Sequence, residues 1–156
     1  MRTLLRRTAL AGTSLLFAAA GLVATGGSAQ AATYDGWDPA SSGCSGISTV
    51  SSAAMTDPHG NHLGTLELRY SSGCRTTWAR VTMDYTQGAC GTSSAGVACP
   101  KAWIIRNSDG ASYTCTVTQG HSSCYTPMVN DAGVSSYAQS YTDTAGGDKY
   151  TRTASY

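Results

Sequence analysis

Polar and apolar positions alternate most cleanly over Thr65–Tyr70, with Leu66, Leu68 and Tyr70 on one side and Thr65, Glu67 and Arg69 on the other. A period of two marks a half-buried β-strand, because successive side chains leave opposite faces. After the turn-forming run Ser71-Ser72-Gly73, Thr77–Met83 reads as a second strand. Its inward face is either Ala79, Val81 and Met83 or the Trp78 side; the alternation permits both. Trp103–Arg106 and Ser112–Thr118 form a further pair around Asn107-Ser108-Asp109-Gly110, where Asp-Gly is a strong hairpin signal. Asp57-Pro58-His59-Gly60-Asn61 marks another turn, and Ile47–Met55 before it suits a short strand or a helical turn. Residues 135–142 and 148–155 alternate Tyr or small residues with polar ones and are read as edge strands. No amphipathic helix of useful length stands out. The predicted fold is all-β, a small antiparallel meander closing into a barrel or sandwich.

Gln119-Gly120 suggests one more tight hairpin, and its register can be counted. With those two residues as the loop, Thr118 faces His121 and Cys115 faces Cys124. Pairs alternate outward from the turn, so Cys115 and Cys124 fall at a non-hydrogen-bonded position, where Cα atoms lie about 4.5–5.5 Å apart. That is disulfide distance, and the bond is expected.

The longest apolar run, Ala9–Ala24, has a different meaning. Arg2, Arg6 and Arg7 precede it, and Ala29-Gln30-Ala31 supplies the small-x-small pattern of a cleavage site. These are the three parts of a secretory signal, so residues 1–31 are read as a signal peptide. A membrane anchor needs about 18–20 apolar residues, more than this run offers. Arg6-Arg7 hints at twin-arginine export, but the residues around the pair match that signal weakly and the general route is preferred. No cysteine precedes Cys44 to carry a lipid, and the C-terminal Thr151–Tyr156 has no hydrophobic tail, so free release outside the cell is expected. Residues 32–46, rich in Gly, Ser and Pro, form an irregular lead-in, and 47–156 form one domain.

Composition changes the picture in two ways. Cleavage removes three of ten Lys/Arg, leaving seven against nine Asp/Glu, a formal charge of −2 with no basic stripe. Nucleic acid and, after cleavage, membrane surfaces are therefore poor partners. The apolar inventory is also thin: past residue 31 there is no Phe, and Leu63, Leu66, Leu68, Ile47, Ile104, Ile105 and six valines are all the branched aliphatics. All nine tyrosines and Trp37, Trp78 and Trp103 follow the cleavage site. So do six cysteines: Cys44, Cys74, Cys90, Cys99, Cys115 and Cys124. An even number in an oxidising compartment implies a disulfide framework, which can substitute for a meagre core.

The runs Tyr34-Asp35-Gly36-x-Asp38-Pro39, Gly43-Cys44, Gly64–Ser71, Cys74, Trp78-Ala79-Arg80-Val81 and Tyr125-Thr126-Pro127-Met128 together resemble an uncharacterised domain family of secreted actinobacterial proteins. The resemblance covers most of residues 34–129, with Leu-Arg-Tyr-Ser…Cys…Trp-Ala-Arg-Val as its core. It implies an extracytoplasmic β-rich domain and a shared Cys44–Cys74 disulfide, and it implies no activity. Cys90 and Cys99, both on the small, polar 86–100 loop, then pair by elimination.

Candidate chemistry is sparse. His59 and His62 with Asp57 could clasp a metal, but a solvated turn explains the same residues, and no metal site is expected. Asp35 and Asp38 are too few for a calcium loop and read better as a turn. His121, Asp131 and one of many serines make a Ser-His-Asp set on paper, without the surrounding elbow or helix of a hydrolase. Trp78 and Arg80 admit two readings. They could form an aromatic and guanidinium platform for a sugar or peptide. Alternatively Trp78 covers a small core while Arg80 pairs with Glu67 across the hairpin, the preferred reading because thin cores rely on tryptophan.

Together these features point to a secreted, monomeric, non-catalytic module without a cofactor, binding a protein, cell-wall or glycan ligand. One alternative is a protease inhibitor presenting Gly91–Lys101, clamped by Cys90–Cys99. Another is a hydrolase built on His121.

Overall fold

The computed structural model describes residues 34–91, 96–144 and 146–156. The signal peptide expected over 1–31 lies outside the described residues.

Among the described residues nine strands pack as two antiparallel sheets face to face, a sandwich. The first sheet holds β1 (Ile47–Thr56), β2 (His62–Ser71) and β3 (Thr76–Met83) as neighbours. The short β6 (Ser123–Tyr125) and β7 (Val129–Asn130) both pair with β3 on its far side. The second sheet runs in the order β5 (Ser112–Thr116), β4 (Lys101–Arg106), β8 (Ser136–Thr144), β9 (Gly147–Arg152). Residues 47–55, left between strand and helical turn by their pattern, are strand. A register shift between Thr49 and Ser51 lets Thr49 lie beside Arg69 on the outer face while Ala53 and Met55 join Leu66 and Gly64 on the inner one.

The inner faces follow the alternation. Leu66 and Leu68 pair with Val81 and Ala79, and these four, with Met55 and Met83, meet Ala102, Ile104 and Ala138 of the second sheet. The open question about β3 resolves accordingly: Ala79, Val81 and Met83 face the other sheet, and Trp78 points the opposite way. The inner row of β8 is Ser136, Ala138, Ser140 and Thr142, all buried and none large. Small polar residues carry little hydrophobic signal, so β8 reads as an edge strand from sequence; it lies between β4 and β9, and of the two segments read as edges β9 alone is one.

All three expected disulfides form: Cys44–Cys74, Cys90–Cys99 and Cys115–Cys124. The geometry behind the last is not the expected one. The strands on either side of Gln119-Gly120 part, β5 pairing with β4 and β6 with β3. The turn's own backbone is engaged elsewhere, Gly120 donating to Gln87 O and Gln87 donating to His121 O, which holds the tip against the β3–β4 connection. Cys115 and Cys124 both face inward, opposite Ala102 and Val81. Their bond, Cα atoms 5.9 Å apart, therefore ties one sheet to the other. At the opposite side of the sandwich, Lys149 of β9 donates to Thr56 Oγ1 and Asp57 O at the end of β1.

The lead-in has no strand among its described residues, yet it is pinned. Gly36 donates to Met128 O, Met128 donates to Trp37 O, and Cys44 is bonded to the β2–β3 turn through Cys74. Asp35 accepts the Asn130 N–H and pairs with Arg106, whose other nitrogens hold Asp109 at 2.8 Å. Beside this cluster Asp131, only 7% exposed, accepts from Ser136 Oγ at 2.9 Å, and its N–H donates to the carbonyl of Arg75, a residue at φ +53°. Burial pushes the Asp131 carboxyl up to about 6, against the smaller opposing pulls of the Ser136 hydroxyl and the Arg106 charge.

Two stability experiments follow from these contacts. Cys90–Cys99 and Cys115–Cys124 close loops of equal sequence separation, so loop entropy assigns each about 2.5 kcal/mol. Guanidinium midpoints should fall further for Cys115→Ala/Cys124→Ala than for Cys90→Ala/Cys99→Ala, because the former also separates the sheets; equal losses would refute the inter-sheet role. For Asp131, a carboxyl raised on folding contributes stability below its ordinary range, and that contribution is lost as pH rises through about 6. Asp131→Asn should match the wild type near pH 4 and exceed it at pH 8, by no more than about 3 kcal/mol. A pH-independent difference in melting temperature would rule that out.

Candidate functional site

On the outer face of the first sheet, alternation places Glu67 and Arg69 of β2 beside Arg80 and Trp78 of β3, each directly opposite its partner. Tyr125 of β6 lies across from Arg80 on the far side. Trp78 is an outward residue only 5% exposed. It floors a shallow groove of about 320 Å³ whose other walls are Pro39 and Ala40 of the lead-in, Ile47, Arg69, Arg80, Ser123 and Tyr125. Ile47 and Tyr125 are both largely exposed, an apolar rim around a charged centre.

The charges on the floor are unevenly matched. Thr49 Oγ1 donates to Glu67 Oε1 at 2.7 Å, Arg69 Nη1 donates to Thr49 Oγ1 at 2.7 Å, and Arg69 also meets Glu67 Oε1 at 3.3 Å. Arg80 reaches the other oxygen of Glu67 at 3.7 Å, its side chain 45% exposed. One carboxylate thus serves two guanidinium groups, leaving a local charge of +1. The exposed pair contributes little to stability, and among the described residues the Nη atoms of Arg80 have no hydrogen-bond partner. The expected Arg80–Glu67 pairing is present, but Trp78, expected to cover the core, is buried instead on the outer face beside Pro39 and Ala40 of the lead-in, with an open space next to the pair. Of the groove residues, Arg69 was legible only as a polar partner of Glu67. Tyr125 is visible in the sequence only as part of the Tyr125-Thr126-Pro127-Met128 run of the resemblance; its place beside Arg80 has no local signal, because the β3–β6 pairing spans a long chain excursion through the second sheet.

The remaining sequence candidates are not assembled into sites. Asp57 spends its carboxylate on its own turn, accepting from His59 N, Asn61 N and Asn61 Nδ2, and those bonds with Asn61 hold its carboxyl below the usual range. His62 Nδ1 meets Asp84 at 2.6 Å on the surface. Asp38 accepts Ala40 N as a turn residue while Asp35 is committed to Arg106, so the two carboxylates do not converge. No cluster of three or more metal-ligating side chains exists among the described residues. His121 is exposed and bonded within its own turn, to Thr118 and Gln119. Asp131 adjoins Arg75 before the start of β3, whereas Ser122, next to His121, accepts from Met83 at its end. The strand between them spans about 26 Å, so the paper triad is not formed. The Cys90–Cys99 loop proposed for inhibition has its tip, residues 92–95, outside the described residues.

A family model described as protein of unknown function (DUF2690) matches residues 32–139. The uncharacterized protein YjfA of Bacillus subtilis (strain 168) is 36% identical over 111 residues, covering 66% of this chain and 66% of its own length. No solved structure matches. The matched span contains both halves of every disulfide and every groove residue, from Pro39 to Tyr125. The chain therefore belongs to the DUF2690 family, a domain family of unknown function.

Proposed function

We propose that this chain is a secreted, non-catalytic binding module that takes an extracellular protein, cell-wall or glycan ligand in the Trp78 groove. The observation that carries the reading is the unbalanced charge on an aromatic floor. Two guanidinium groups share Glu67 beside Trp78, and among the described residues Arg80 keeps free donors next to exposed Tyr125 and Ile47. Arginine and tyrosine at a concave rim are the side chains that most often dominate binding energy. A ligand presenting a carboxylate or carbonyl next to an apolar face suits this arrangement.

Secretion is supported by the basic, apolar and small-x-small order of residues 1–31. It is further supported by three disulfides, which persist in oxidising compartments. No described helix is long and apolar enough to cross a membrane. The near-neutral chain gives nucleic acid and anionic membrane little to hold, and a monomer without cofactor is the form we assign. The same reading keeps the actinobacterial association of the resemblance.

The test is co-sedimentation of the disulfide-bonded protein, residues 32–156, with purified cell-envelope fractions. The wild type should pellet saturably, and Arg80→Ala/Tyr125→Ala should reduce bound protein about tenfold at unchanged melting temperature. Trp78→Ala is unsuitable, because truncating a buried Trp costs about 3–5 kcal/mol of fold stability. Failure to pellet, or pelleting indifferent to the double substitution, overturns the groove as the binding site.

A further inference from the structure

The outer face of the second sheet is a different kind of surface. Its register sets Trp103 of β4 across from Gln139 of β8, and Gln139 across from Arg152 of β9. Tyr137 and Tyr141 flank Gln139 along β8, and Tyr150 lies opposite Tyr141. All point away from Ala102, Ile104 and Ala138, which fill the interior. The Tyr141 and Tyr150 rings are 5.2 Å apart and tilted by 54°. Arg152 lies 3.4 Å over the Tyr137 ring. Tyr150 is 62% exposed. Trp103 also lines a depression of about 460 Å³ with Ser112 and Thr114 at the β5 edge.

In a chain so short of interior hydrophobes, four aromatic side chains held on an outer face call for an occupant. From this surface we infer that the second sheet is a stacking platform for an uncharged polysaccharide. Aromatic faces are electron-rich and receive the slightly positive C–H faces of pyranose rings. Beside the Tyr141–Tyr150 pair the Gln139 amide gives a sugar's hydroxyls a donor and an acceptor, and Ser112 and Thr114 continue the polar supply beside Trp103. The electrostatics favour a neutral polymer. Lys101 and Arg152 on this face are matched by Asp143 and Asp148. Asp143 is engaged by Ala98 N, Asp148 accepts from Tyr141 Oη at 2.9 Å, and Arg152 is spent on Tyr137. The platform is independent of the Trp78 groove, which lies on the opposite side of the sandwich.

Native affinity electrophoresis tests it, with the disulfide-bonded protein run in gels containing soluble β-glucan, xylan, galactomannan or polygalacturonate. The wild type should be retarded in at least one of the three uncharged gels. Tyr150→Ala should raise the dissociation constant about tenfold, and Trp103→Ala/Tyr150→Ala should abolish retardation. Tyr150→Phe, which keeps the ring, should retain it, as should Arg80→Ala/Tyr125→Ala. No retardation in any uncharged gel, retardation in polygalacturonate alone, or full retardation of Tyr150→Ala overturns the platform. Retardation lost with Arg80→Ala/Tyr125→Ala and kept with Trp103→Ala/Tyr150→Ala assigns sugar binding to the groove instead, which also overturns it.

Discussion

Two sheets faced largely by alanine, serine, threonine and a few branched side chains have little apolar area to bury against each other, and that shortage governs the rest of the molecule. The inner row of β8 contains no residue larger than Thr142, and β4 contributes Ala102 and Ile104. Thr77 Oγ1 and Ser140 Oγ, buried on inward positions of facing sheets, make no hydrogen bond among the described residues, a further cost to the interior. Covalent closure offsets this. Cys115–Cys124 spans the sheets at one side, and at the other Lys149 reaches the end of β1. Each tie sits where the sheets would otherwise separate, at their borders rather than in their middle.

The same shortage explains where the aromatic residues went. Tyr113, opposite Ile104, packs against the interior and Tyr70 continues the Leu66–Leu68 row, but Trp78, Trp103, Tyr125, Tyr137, Tyr141 and Tyr150 lie on outward positions of the strands. The two outer faces then diverge. On the first sheet the lead-in crosses over, burying Trp78 and leaving a concave, positively charged groove. On the second, Tyr150 stands exposed beside Tyr141 among balanced charges, while Arg152 covers the Tyr137 ring. One scaffold, rigid because it is crosslinked, thereby presents two surfaces of unlike chemistry.

How much of this the chain discloses unaided depends on the element. β2, β3 and the β4–β5 hairpin are legible because Leu66, Leu68, Val81 and Asp109-Gly110 give strong local signals. β8 is misplaced as an edge because Ser136, Ser140 and Thr142 do not look like interior residues, although an interior made of small residues accepts them. The Cys115–Cys124 bond is anticipated from a hairpin that does not exist; both routes bring the sulfurs together, since short chain separation favours contact whether the flanking strands share a sheet or face one another. The groove is only half visible. Glu67, Trp78 and Arg80 follow from the hairpin register, while Pro39, Ala40 and Tyr125 arrive through the lead-in and through β6, non-local pairings that no periodicity encodes.

The lead-in binds these observations into one mechanical argument. Pro39 and Ala40 form a wall of the groove, yet they belong to no strand, so the wall stands only as firmly as its anchors. Those anchors lie on either side of it: Asp35, held by Arg106 and Asn130, precedes it, and Cys44, bonded to Cys74, follows it. Between them the chain from Asp35 to Cys44 has few conformations left, and the entropy of ordering the wall is spent on folding rather than on ligand binding. Arg106 is a β4 residue, so the wall of a site on the first sheet is fastened to the second. Anything that let the two sheets shift would therefore move Pro39 and Ala40 relative to Arg80 and Tyr125. The disulfide between the sheets and the ion cluster at the lead-in are two parts of the same restraint.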